Sequence, residues 1–189
     1  RDSMSRSSWL DRSPADWEHA RDTRKTPMKI LLLQYLQPRI DPLAVENTET
    51  FYFLGLMARL ADHDIRLRLH PESRKREHYK GLWPGLKFDN ESRPFRKALA
   101  WPDLVIGPAF SGAMLESLAA GKRTLMVLLA PHSCNLSYFR GAKVFTSLDA
   151  VEHAARTFTD PDCKEFLERY TARKEIPDPV GKIWAALVA

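Results

Sequence analysis

Short, nearly continuous apolar runs recur along this chain, separated by longer stretches in which apolar residues return at helical spacing. KILLLQYL from Lys29 and DLVIG from Asp103 are too short for helices and carry no polar face, the pattern of strands covered on both sides in a parallel sheet. Between them lies TETFYFLGLMARLADH, where Phe51, Leu54, Met57 or Ala58, and Ala61 recur at helical spacing. DIRLRLH follows and alternates instead, with Ile65, Leu67 and Leu69 set against Arg66 and Arg68, as a strand does. Strand, helix, strand is the unit from which parallel sheets are built.

The remaining pattern extends that unit. Pro71 to Gly85 reads as irregular and basic, LKFD as a short third strand, and Ser92 to Ala100 as a helix leading through Trp101-Pro102 into DLVIG. Ser111 stands where a helix N-cap belongs and Gly121 where that helix must stop, before a second buried strand ending at Leu129. PHSCNLSYFRG is a long loop, KVFTS a short edge strand, Ser147 the cap of DAVEHAARTF, and Pro161 the opening of DCKEFLERYTARK. The expected fold is α/β, a single Rossmann-like, doubly wound parallel sheet of about five or six strands with its ligand at their carboxyl ends. Residues 1–27 are expected to form an arm or linker with a short helix, 28–160 the nucleotide-binding domain, and 161–189 a C-terminal helix and apolar tail.

Composition narrows the class. With 189 residues, 44% of them hydrophobic, there is enough apolar matter for a real core. No run approaches the roughly 20 apolar residues of a membrane span, and RDSMSRSSWLDRS lacks the apolar centre of a signal peptide. A cytoplasmic protein is expected, with Cys134 and Cys163 as plain reduced thiols rather than a disulfide or a zinc site. The net charge of +5 favours anionic ligands without choosing among them. There is no G-x-G-x-x-G fingerprint and no triphosphate loop; Gly121-Lys122-Arg123-Thr124 lies after its helix and points away from the ligand edge.

Two features fall at that edge. In His70-Pro71-Glu72-Ser73-Arg74 a strand stops at a histidine and proline turns the chain out of the sheet, so the imidazole and the Arg74 guanidinium can meet an anion. In Phe110-Ser111-Gly112-Ala113, small residues open a helix whose N-terminus can cradle a phosphate, and Gly112 permits close approach. Glu116, one turn beyond Gly112, is placed to accept hydrogen bonds from two ribose hydroxyls. Asp41, Glu46 and Glu49 are expected to face the cleft, but nothing marks any of them as a general base. The basic run Arg66, Arg68, Arg74, Lys75, Arg76 and Lys80 is read as a solvated loop, with a peripheral contact to anionic membrane as the alternative. It lacks the interleaved aromatics of a nucleic-acid platform, so nucleic acid is not an expected partner.

Taken together, Asp103, Ser111, Gly112, Glu116 and Gly121-Lys122 resemble the donor-binding half of GT-B glycosyltransferases, a pattern that nucleotide-sugar 2-epimerases share. The histidine-proline pair at a strand end, with a serine turn further on, resembles bacterial GT-B enzymes that use CMP-activated sugars, such as sialyltransferases and Kdo transferases. That resemblance implies His70 and Ser111 as phosphate ligands, a cytidine nucleotide sugar as substrate, and no metal or other cofactor. It implies a glycan acceptor in surface polysaccharide synthesis (lipopolysaccharide or capsule), with Kdo slightly favoured because a single Ser111 stands where some relatives carry two adjacent hydroxyl residues. It also implies a missing acceptor domain or partner chain, and a place at the inner membrane face. UDP-sugar transfer, 2-epimerisation and a non-catalytic GT-B-like module are the competing readings. A response-regulator or flavodoxin-like domain is weaker, because KILLLQYLQPRID lacks the acidic pair and the hydroxyl-rich loop those require.

Overall fold

The computed structural model describes residues 27–35, 42–129, 139–157 and 163–171. The N-terminal arm, most of the PHSCNLSYFRG loop, the Pro161 helix opening and the apolar tail lie outside the described residues. In chain order the elements are β1 (Lys29–Leu33), α1 (Pro42–Arg59), β2 (Asp64–Arg68), α2 (Arg76–Leu82), β3 (Lys87–Phe88) and α3 (Phe95–Ala98). They continue with β4 (Leu104–Pro108), α4 (Gly112–Ala119), β5 (Arg123–Val127), β6 (Val144–Phe145), α5 (Leu148–Arg156) and α6 (Lys164–Thr171).

Among the described residues the sheet has six strands in the order β3-β2-β1-β4-β5-β6, and every pairing is parallel. This is the Rossmann order, and it differs from the 2-1-3-4-5 order of a flavodoxin-like domain. β1 is central, with Ile30 opposite Ile65 on one side and opposite Leu104 on the other. Its apolar run serves two cores. Ile30 and Leu32 join Phe53 and Leu56 of α1, Leu60 just beyond it, and Val151 of α5 on one face. Leu31 and Leu33 join Met114 and Leu118 of α4 and Phe166 of α6 on the other. A strand that must fill both layers has no place for a polar residue, which is why KILLL reads as it does.

Local chemistry fixes the ends of α4. Gly121 adopts φ +68°, and the N–H groups of Gly121 and Lys122 donate to the carbonyls of Leu118 and Ser117 at 2.9 and 3.0 Å. That pair of bonds is a Schellman stop, which needs a left-handed residue and so a glycine. At the other edge Asp103 clamps β1 to β4, accepting from the Lys29 N–H and donating its own N–H to the Lys29 carbonyl, both at 2.8 Å.

Three expectations change. The stretch from Pro71 to Gly85 contains a helix, α2, where irregular chain was expected. The helix expected over Ser92–Ala100 shortens to Phe95–Ala98, because Pro94 at φ −50° and ψ 135° is extended and the turn begins only after it. Arg68 is not on a solvent face: it is buried, paired with buried Asp89, and donates to the carbonyls of Asn90 and Arg93 at 3.1 and 2.6 Å. Cys163 is a buried thiol in the second core.

Candidate functional site

The strand order creates the site before any side chain is placed. From β1 the chain winds outward through β2 and β3, and from β4 it winds outward the other way, so the crossovers part between β1 and β4 at the carboxyl edge. Ligands of open α/β sheets bind at such a reversal. β2 and β4 flank β1 and so lie two strand spacings apart, about 10 Å, and the segments that follow them, His70-Pro71 and Phe110-Ser111, leave the sheet on either side of β1 at the same edge.

His70 is exposed and opens a tight turn, closed by the Ser73 N–H donating to the His70 carbonyl at 2.8 Å. The Glu72 N–H donates to Nδ1 of the ring at 3.3 Å. With Nδ1 accepting, the neutral imidazole carries its proton on Nε2 and presents a donor outward. The His70 backbone N–H donates to Oε1 of buried Gln34 at 2.9 Å. Pro71 and Arg74 are exposed on the same turn.

Behind this turn lies a buried polar network. Gln34 Nε2 donates to Glu49 Oε1 at 2.7 Å, the Tyr79 hydroxyl donates to the same oxygen, and Lys75 Nζ donates to Glu49 Oε2 at 2.7 Å. Glu49 is only 3% exposed, so it does not face the cleft as expected; both of its oxygens are engaged inside the protein. Burial, and then the carboxylate beside it, push the Tyr79 phenol far above its ordinary value, so it stays protonated and donates.

On the other flank Ser111 caps α4. Its Oγ accepts from the Ala113 N–H at 3.3 Å, and its carbonyl accepts from the Met114 N–H at 2.9 Å. Those two amides are thereby occupied, which narrows the expected phosphate cradle to the Gly112 N–H and the Ser111 O–H. A hydroxyl that accepts from one group can still donate to another. Gly112 is exposed, and a Cβ built on it would meet nothing within 4 Å. Glu116 is exposed one turn on. Ala113 is half-buried, and Phe110 is half-buried edge-on against Phe139 with ring centroids 5.2 Å apart, so its ring buttresses the turn from behind.

Most of the basic run has a partner within the chain, buried for Arg68 and at the surface for Lys80. The Arg66 guanidinium lies 3.9 Å from the Trp101 ring centroid, Arg68 is buried, and Lys75 pairs with Glu49. Arg76 pairs with Glu91 at 2.8 Å and Lys80 with Glu77 at 2.7 Å. Gln34, Tyr79 and the internal role of Glu49 were not legible in advance, although a glutamine directly after a fully apolar strand is a signal for a polar strand-end contact.

Among the described residues no helix is long and apolar enough to cross a membrane. Comparison with family models and with curated proteins gives no match. Among solved structures the chain is similar to Thermosulfurimonas dismutans KpsC, a beta Kdo 2,4 transferase, with 20% sequence identity and a TM-score of 0.42. The likeness covers 53% of this chain and 34% of that one, so the chain spans about a third of that structure's length. The fold itself, a six-stranded parallel Rossmann-like sheet with helices on both faces, is the architecture implied for one half of a GT-B glycosyltransferase.

Proposed function

We propose that this chain is the donor-binding domain of a glycosyltransferase for bacterial surface polysaccharide, that its donor is a CMP-activated sugar, and that Kdo is the favoured one. The observation that supports this is the placement of the His70 turn and the Ser111-capped helix on either side of β1 at one carboxyl edge. In this reading the phosphate accepts hydrogen bonds from His70 Nε2, the Ser111 hydroxyl and the Gly112 N–H, while Glu116 holds the ribose. As the bond from the anomeric carbon to the phosphate oxygen breaks, negative charge gathers on that phosphate. The positive end of α4 and the imidazole are aimed at it, with Arg74 at the rim, so the departing nucleotide is stabilised without a metal. The glycan acceptor, and the base that deprotonates it, belong to an acceptor domain or partner chain. Contact of the basic loop with anionic lipid at the inner membrane face is a weaker reading, since most of those charges are already paired with carboxylates of the same chain.

Calorimetric titration with CMP, CDP, UDP and GDP tests the reading. Cytidine nucleotides are expected to bind, and His70→Ala and Ser111→Ala to remove binding while the protein stays folded. Binding of UDP in preference to cytidine would move the assignment to a UDP-sugar transferase or a 2-epimerase. No binding at about millimolar nucleotide would leave a non-catalytic module.

A further inference from the structure

We infer that Glu49 is a positioning residue that clamps the His70 turn at both ends; the inference rests on the nucleotide-site reading above. A carboxylate as deeply buried as this one is costly unless its oxygens are satisfied, and a glutamate on the outer face of α1 would carry no such cost. Its partners come from separate segments of the chain. Through Gln34, which follows β1, Glu49 reaches the backbone N–H of His70, the first residue of the turn. Through Lys75 it reaches the far end, where the Lys75 N–H donates to Ser73 Oγ at 3.3 Å and Ser73 closes the turn on the His70 carbonyl. One side chain on α1 therefore sets both ends of the loop that aims the imidazole. The partly exposed Lys75 ammonium is held at the same rim, with protons left to donate.

The chemistry of the partners dictates the variants. Glu49→Gln keeps the shape and an acceptor for Gln34 and Tyr79, but its amide nitrogen cannot accept from Lys75. Gln34→Met keeps the length and removes the acceptor for the His70 N–H. On the full chain, each is expected to weaken CMP affinity by about fivefold or more, the worth of one hydrogen bond. The double variant should be little worse than either, because both act through one turn. Leu56→Ala, two helical turns along α1 in the core, supplies the comparison: a lower melting temperature with an unchanged Kd. The direct readout is the His70 amide and ring nitrogen signals by NMR without nucleotide, which should move in both variants and stay in place in Leu56→Ala. Unmoved His70 signals, or a Kd that changes no more than in Leu56→Ala, would overturn the inference. Should Glu49→Gln not fold, Gln34→Met carries the same test. If the signals move but CMP binds to none of the proteins, the clamp stands and the nucleotide reading fails.

Discussion

Two glycines near the same edge make opposite demands. A Cβ at Gly107 would lie 2.6 Å from the Met114 sulfur and 3.0 Å from Leu33 Cβ, so the absence of a side chain is what lets α4 settle on the sheet. Gly107→Ala is expected to cost about 1–3 kcal/mol in urea denaturation, as overpacking does. Around Gly112 the space is empty, and Gly112→Ala should leave stability within about 0.5 kcal/mol. The added methyl would stand where the proposed phosphate approaches, so nucleotide affinity should fall sharply; an unchanged Kd would mean that the phosphate sits elsewhere. Gly112 was legible because it follows a cap-forming serine. Gly107 was not, because Gly-Pro reads only as the end of a strand, and the atoms it makes room for belong to Leu33 and Met114. Distance along the chain limits the polar network in the same way. Gln34 and Glu49 are 15 residues apart, Gln34 and His70 36, and Glu49 and Tyr79 30. No local pattern joins them, whereas His70-Pro71 and Ser111-Gly112 each lie within one turn.

Two serine-capped helices separate the work of a cap from the work of a site. Ser111 Oγ accepts from the Ala113 N–H, and Ser147 Oγ from the Ala150 N–H, both at 3.3 Å. Ser147→Ala and Ser111→Ala should each cost about 1 kcal/mol by urea denaturation. Only Ser111→Ala should also lose nucleotide binding, and equal losses in both would reduce Ser111 to a cap. These helices were legible because α5 carries its cap beside a strong apolar periodicity, and α4 its cap with a glycine stop. α2 lacked every such sign: its N-cap residue, Lys75, makes no side-chain cap, and the helix spans 7 residues and buries only Tyr79, so it leaves no period to read. Arg68 misled for a related reason. Strand alternation places it opposite Leu67 and Leu69, but alternation names a face, and only the later Asp89 and α3 reveal that this face is covered.

At the scale of the whole molecule the sheet divides the labour between its edges. The carboxyl edge holds the candidate site, while the amino edge is tied by Asp103 to Lys29 and by Arg156 of α5, which pairs with Asp62 beyond α1 at 2.8 Å and donates to the Arg59 carbonyl at 2.6 Å. His63 sits at this edge with both ring nitrogens buried and without a hydrogen-bond partner among the described residues. Burial, and secondarily the nearby Arg156 charge, lower its pKa below the ordinary 6.5 despite the opposing pull of Asp62. The unfolded chain then takes up a proton at a pH where the native protein does not. Stability from this group is therefore full above 6.5 and is lost as pH falls from there through the native value. Asp62 acts in a separate, more acid window. Burial alone would raise its carboxyl, but the Arg156 hydrogen bond and the charges around it hold it below 3.8, so its contribution fades only as pH falls through that range. Urea midpoints measured from about pH 8 to about pH 5 should thus decline in the wild type, and His63→Gln, which does not titrate, should flatten the decline. Identical profiles in the two proteins would place the acid sensitivity in groups other than His63.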